Sequence, residues 1–372
     1  MRAVVTFLSV CALSAVSFAA GDKTPVKPVG QQLMYLASWP HTIHVIDVNQ
    51  NKIIDNIELP TDIARIMLLS PDKTKLYAST MRDNAIVTID LKTRKVLDCF
   101  SLNSGQETNR LSGLAIDPTG KYIYSIVTVI TKKIDRFEIA DPKFAIIDIA
   151  QKKIVKSAPF PKDETPGGRA LLRVSPDGKS LYVFRQHILV VNTDDLKVTK
   201  TIELSNPIAP PGMDNLSLSV LEDPNEPPGK LMSIFNASDP YVHRDIFGLA
   251  EIDLSKQTFD LTPIGPSATS IQPLMLSPDR KLGYTVAING THGDRVTEFW
   301  VFDMDSKKII NKREFIGRTR LNFGMTADGK KLLIYNAGYE VEVYDAKTLV
   351  LESTINLQGD TTSNLVVMPL GN

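Results

Sequence analysis

Short apolar stretches alternate along this chain with clusters of turn residues that return roughly every 40 to 60 residues. Apolar runs this short, bounded by turn residues, predict strands. One turn recurs. VSPDGKSLYVF at 174–184 has close copies in SPDKTKLYAST from Ser70, DPTGKYIYSIV from Asp117, SPDRKLGYTVA from Ser277 and ADGKKLLIYNA from Ala327, and a degenerate copy in PPGKLMSIFNA from Pro227. Proline presets φ, glycine accepts a positive φ, and Ser or Asp bonds nearby backbone, so the cluster reverses the chain. A catalytic Ser–Asp pair would have no reason to recur along one chain, and S-P-D-G is therefore a turn and not a site.

Each copy lies between two strands and is followed by a segment that closes on Asp: HVIDV (44–48), VTIDL (87–91), AIIDI (145–149), AEIDL (250–254), WVFDM (300–304) and EVYDA (342–346). VVNTD (190–194) is the seventh such segment, with Asn192 in place of the Asp. A Lys- or Thr-containing turn and a last strand such as KVLDCFSL complete the unit. A four-stranded antiparallel unit repeated seven times predicts an all-β, seven-bladed β-propeller over 31–372. Six innermost strands are expected at ARIMLLS, SGLAID, ALLRVS, LSLSVL, QPLMLS and FGMTA. The N-terminal unit (QLMYLAS, HVIDV, KIIDNIEL) lacks one, so SNLVVMP at 363–369 is expected to pair with residues 32–38 and close the ring, removing two open edges.

In such a ring the first-to-second and third-to-fourth turns share one face, and here they are short and monotonous. The other face collects the irregular segments: TVITKKIDRFEIADPK (128–143), SNPIAPPGMDN (205–215), SDPYVHRDIF (238–247) and NGTHGDRVTE (289–298). Long loops on a rigid scaffold commonly build binding surfaces. Charged groups beside aromatic or apolar ones suit a protein interface, which makes Arg136, Phe137, Tyr241, His243, Arg244, Phe247, His292 and Arg295 the candidate partner-binding residues. Asp135, Glu138 and Asp141 read as solvated charge. His41, His187, His243 and His292 come from different units, with only the last two in adjacent blades and no carboxylate at ligand spacing, so no metal site is expected. His44, inside a strand, and Trp39 and Trp300 are expected to pack.

Composition narrows the function. The chain carries 42 basic and 42 acidic residues, a balance that disfavours nucleic acid or a membrane surface as partner. MRAVVTFLSVCALSAVSFAAGDK reads as a secretory signal over 1–19 cleaved after Ala19, followed by an extension over 20–30, and it places the mature protein in the periplasm. Cleavage removes Cys11 and leaves Cys99, which alone can form neither an internal disulfide nor a Cys-x-x-Cys-His haem site. There is no phosphate-binding loop, dinucleotide fingerprint, H-E-x-x-H or G-x-S-x-G. No catalytic, cofactor-binding or metal residue is therefore assigned to this chain.

SPDKTKLYASTMRDNAIVTIDLKTRKVL and VSPDGKSLYVFRQHILVVNTDDLKVTKTI resemble the bacterial propeller units called YVTN repeats. The irregular parts carry a closer resemblance. IDRFEIADPKFAIIDIAQKKI, and RDIFGLAEIDLSKQTFDLTPI after NPIAPPGMDN, are similar to the β subunit of quinohemoprotein amine dehydrogenase. That resemblance implies a heterotrimer that oxidises primary amines to aldehydes and ammonia. Its cysteine tryptophylquinone would lie in the γ subunit and its c-type haems in a dihaem α subunit, with the β propeller enclosing and holding its partners. Two other readings stay open: a stand-alone binding propeller, or a lactonase-like enzyme with polar residues at the channel, where the innermost strands offer mainly Arg65 and Arg173.

Overall fold

The computed structural model describes residues 32–369, apart from 165–169, 186, 205–211, 221–222, 224–225, 228, 318–319, 336–337 and 362. The expected signal sequence and the extension over 20–30 lie outside the described residues. Thirty strands form seven antiparallel sheets, and the one helical element among the described residues is a 3₁₀ turn at His292–Asp294. The chain is a seven-bladed β-propeller. From the axis outward, blade 2 is built by residues 64–69, 75–80, 86–90 and 95–100. Blades 3 to 7 begin with innermost strands at 107–116, 171–174, 214–219, 275–276 and 322–325.

Blade 1 has the expected composite origin. Its strands at 33–38, 42–47 and 52–58 are joined by 366–367, with Met34 opposite Val367 and Tyr35 opposite Val366. The closure extends beyond this pair. Ala37 N–H donates to Ser363 Oγ at 3.1 Å, and Thr361 Oγ1 donates to Ala37 O at 2.6 Å. Asn364 clasps the neighbouring blade, accepting from Met67 N–H and donating to Met67 O, both at 2.9 Å.

Alternation explains the core. Each blade is a sheet with two faces, and each face packs on one neighbour, so successive residues of a strand serve different interfaces. Tyr35 and Ala37 join Met67, Ala78 and Val87 of blade 2, while Met34 and Leu36 join Leu333, Val341 and Val343 of blade 7. Phe299 and Val301 pack toward blade 7 and Trp300 and Phe302 toward blade 5. Seven apolar clusters result, one for each contact between neighbouring blades.

The recurrent turn follows one hydrogen-bond scheme. In blades 2, 4, 6 and 7 the Ser or Thr hydroxyl (Ser70, Ser175, Ser277, Thr326) donates to the Asp two residues on, at 2.5–2.7 Å. The same hydroxyl accepts the N–H five residues on at 2.9–3.1 Å. In blade 3 Asp117 replaces the Ser and accepts the Tyr122 N–H itself at 2.7 Å. The hydroxyl of each turn, with help from backbone N–H groups, holds the Asp72, Asp177 and Asp279 carboxyls below the usual carboxylate range. The fourth turn position is left-handed throughout, at Gly120, Gly178 and Gly329 with φ of 71°, 74° and 68°, and also at Lys73 and Arg280 with φ of 57°. The strand-closing Asp acts locally as well: Asp90, Asp148, Asp303 and Asp345 accept an N–H three residues on at 2.6–2.7 Å. Asn192 does the equivalent for Asp195 at 3.2 Å and also accepts the Asp194 N–H at 2.8 Å.

Candidate functional site

The loop face is dominated by an extension of blade 3. Its second strand runs on to Lys132, and a short strand at Phe137–Ile139 folds back on it, pairing Phe137 with Lys132 and Ile139 with Ile130. Arg136 pairs with Asp135 at 3.1 Å and with Glu138 at 2.7 Å. Such exposed pairs contribute less than about 1 kcal/mol and serve to shape the hairpin tip. The apolar groups at the tip face solvent, with Phe137 66 % and Ile139 70 % exposed.

Blade 5 contributes a second exposed corner. The Asp239 carboxylate accepts the N–H groups of Tyr241 and Val242 at 2.9 and 3.2 Å, and these bonds hold its pKa below the usual range. The turn forces His243 to a φ of 53° and presents Tyr241, 89 % exposed, together with exposed His243 and Arg244. In blade 6 Arg295 is exposed, and His292 opens the 3₁₀ turn. Residues 205–211 of the crossover into blade 5 lie outside the described residues.

Two sequence expectations are corrected here. Phe247 is not part of this surface: it is buried, with its ring 5.3 Å from Trp300 and 6.4 Å from Phe302. The third strand of blade 5 starts at Asp245, earlier than AEIDL suggests, so the alternation carries Phe247 into the interface with blade 6. Trp39, expected to pack, is 58 % exposed in the turn at 39–41. Trp300 does pack, with its Nε1–H donating to Glu298 at 3.0 Å and the Lys312 ammonium 4.0 Å from its ring centre. His44 is buried between Ser38 and Asn56 at 2.7 Å each. Among the described residues no group of three or more His, Cys, Asp or Glu is placed to hold a metal. Cys99 is half-buried, and that burial pushes its thiol pKa up, which disfavours the reactive thiolate.

Exposed large apolar side chains divide unevenly between the two faces. Of the fifteen in the described residues, nine belong to the loop face: Trp39, Met81, Ile134, Phe137 and Ile139, then Tyr241, Val242, Ile316 and Tyr339. The other six lie on or beside outermost strands.

The central channel, where the sequence places Arg65 and Arg173, holds two cavities. One of about 250 Å³ is lined by Arg65, Arg173, Leu114, Leu172 and Leu365. Another of about 350 Å³ opens on the turn face and shares Arg173 and Leu365. Its polar wall comes from the first-to-second turn of blade 5, which spans residues 220–229, whereas the turns of blades 2, 3, 4, 6 and 7 have five residues each. The longer turn brings Asp223 and Glu226 to the channel. Asp223 accepts the Leu276 N–H at 3.0 Å, and Glu226 accepts the Met232 N–H at 2.6 Å. Burial, reinforced by the nearby Asp223, pushes the Glu226 pKa up to about 8 despite the opposing Met232 bond, Arg173 and Arg280. Glu226 is therefore a neutral acid at pH 7.

No protein-family model matches the sequence, and no curated protein is significantly similar to it. Solved structures share its fold. A functionally unknown protein from Desulfotomaculum acetoxidans superposes with a TM-score of 0.57 at 12 % identity, over 91 % of this chain and 99 % of that one. Dihydro-heme d1 dehydrogenase NirN, in complex with DHE, gives 0.53 at 14 % identity over 90 % of this chain and 75 % of that one. Hydrazine synthase of Kuenenia stuttgartiensis gives 0.50 at 14 % identity over 83 % of this chain and 96 % of that one. At these identities the likeness is one of fold.

Proposed function

We propose that the chain is the propeller subunit of a periplasmic quinohemoprotein amine dehydrogenase, holding the haem-bearing α and quinone-bearing γ subunits on its loop face. The observation that carries the docking role is the concentration of nine of the fifteen exposed large apolar groups on that face. Aromatic anchors beside arginines are the usual energetic centres of protein interfaces, and Phe137 with Arg136 and Tyr241 with Arg244 supply two such corners. The kind of partner rests on the resemblance of 134–154 and 244–264 to the β subunit of that enzyme.

Co-expression of the full chain with the encoded neighbours tests this reading. The chain alone should show no haem absorbance and no amine-dependent dye reduction. Co-purified partners bearing Cys-x-x-Cys-His haem sites and a short Cys- and Trp-rich chain should supply both. The double substitution Phe137→Asp and Tyr241→Asp should weaken capture by about 100-fold with melting unchanged, as expected for two central anchors. Amine oxidation by the isolated chain would overturn the proposal, as would capture that is indifferent to these two residues.

A further inference from the structure

We propose that the turn-face mouth of the central channel is a binding site for a small organic carboxylate with an apolar body. The cavity, about 350 Å³, falls in the size range of small-molecule sites. Its walls are asymmetric. Leu69, Met275, Phe323 and Met325 from innermost strands form an apolar side, and the blade 5 turn forms a polar one.

The charges facing that polar side select the sign of the ligand. Arg173 reaches it from the innermost strand of blade 4, Lys73 from the turn of blade 2, and Lys230 from the second strand of blade 5. Arg280 approaches from the turn of blade 6. At the equivalent glycines of blades 5 and 7, a Cβ would meet Pro176 or Pro278 of the preceding turn, so a side chain at this position aims toward the preceding blade. Arg280 occupies the position with a left-handed backbone and thereby points at the blade 5 turn, where its charge acts on Glu226. Its Nη1 is buried and has no hydrogen-bond partner among the described residues. Lys73, Arg173 and Lys230 thus line the cavity and Arg280 acts on it from the next turn. Among the described residues these cations outnumber Asp223 while Glu226 stays neutral below pH of about 8, which favours an anion. Tyr335, also in the wall, has its hydroxyl engaged by the Leu365 N–H at 3.2 Å.

Glu226 completes the recognition. Its Oε1 accepts the Met232 N–H, and Oε2 makes no hydrogen bond among the described residues. The protonated group donates from there to a ligand carboxylate, while the guanidinium groups supply charge-assisted bonds. A primary ammonium ligand would find no net negative charge beside these arginines.

The site faces away from the loop rim, so its test stands apart from partner capture. The full chain is titrated by calorimetry with hexanoate and with hexylammonium, which share an apolar body and differ in charge. Hexanoate should bind and hexylammonium should not. Because only the neutral Glu226 can donate, affinity should fall about tenfold from pH 7 to pH 9. Glu226→Gln should keep binding at pH 7 and abolish that pH dependence, and Arg280→Gln should weaken binding by about tenfold at unchanged melting. The proposal is overturned by preference for hexylammonium, by no hexanoate binding at millimolar concentration, by hexanoate binding that Arg280→Gln leaves intact, or by a pH dependence that Glu226→Gln leaves unchanged.

Discussion

On the turn face of the ring, five connections of five residues each repeat one hydrogen-bond scheme and expose almost no apolar surface. On the loop face the second and third strands are joined by segments as short as 39–41 and as long as 133–142, and most of the exposed large apolar groups gather there. Repetition on the first face satisfies backbone groups with short side chains and leaves nothing over for a partner. Variation on the second leaves side chains such as Phe137 and Tyr241 without intramolecular cover. The blade 5 turn breaks this division: it adds length on the regular face and directs it inward, over the channel, where Asp223 and Glu226 meet Arg173.

Ring closure supports both faces, so removing it should disturb both at once. Deleting 363–372 strips blade 1 of its innermost strand, with the Ser363 bond to Ala37 and the Asn364 clasp on Met67. The expected loss is about 5 kcal/mol or more, from two buried valines and their hydrogen bonds, read as a large drop in melting temperature. Unchanged melting would contradict the pairing of Met34 with Val367.

A pH series separates the exceptional turn from its regular neighbours. Glu226 titrates near 8 in the folded chain and near 4.5 when unfolded, so the folded state holds a proton that the unfolded state has lost between those values. Stability should therefore decline as pH rises through that window, by up to about 5 kcal/mol, and be flat above it. Glu226→Gln should flatten the decline in denaturant titrations. The turn aspartates Asp72, Asp177 and Asp279 act with opposite sign: their lowered pKa values add stability above the usual carboxylate range, and it is lost as pH falls below about 4.

A matched glycine pair gives the smallest effect. Gly329, on the turn face, has a φ of 68°, and a Cβ there would lie 2.5 Å from Pro278 Cδ. Gly293, on the loop face, has open space around it. Gly329→Ala should cost about 1–3 kcal/mol and Gly293→Ala less than about 0.5 kcal/mol. Equal costs would remove the contrast between a face under close packing and one with room.

The count of blades, the closing strand and the structural role of S-P-D-G were legible because each rests on a local pattern: alternation, turn chemistry and a fixed spacing. Phe247 and Trp39 were misjudged because burial depends on where a strand begins and on what lies opposite, which alternation alone does not state. The channel cavity was hidden for a different reason. Its wall draws Lys73, Arg173, Glu226, Phe323 and Val367 from five blades, and no spacing along the chain relates them. One signal was present in EDPNEPPGK, a copy of the turn preceded by acidic residues on the otherwise uniform face.

The closing hydrogen bond from Ala37 to Ser363 joins residues 326 positions apart. As the chain emerges from its N-terminal side, the strand at 33–38 waits for its last neighbour until this whole separation of 326 positions has followed it. Throughout that interval its inner edge is an open template for any extended segment nearby. Until that segment arrives the ring has one gap, and Thr361, Ser363 and the strand at 366–367 act as its latch.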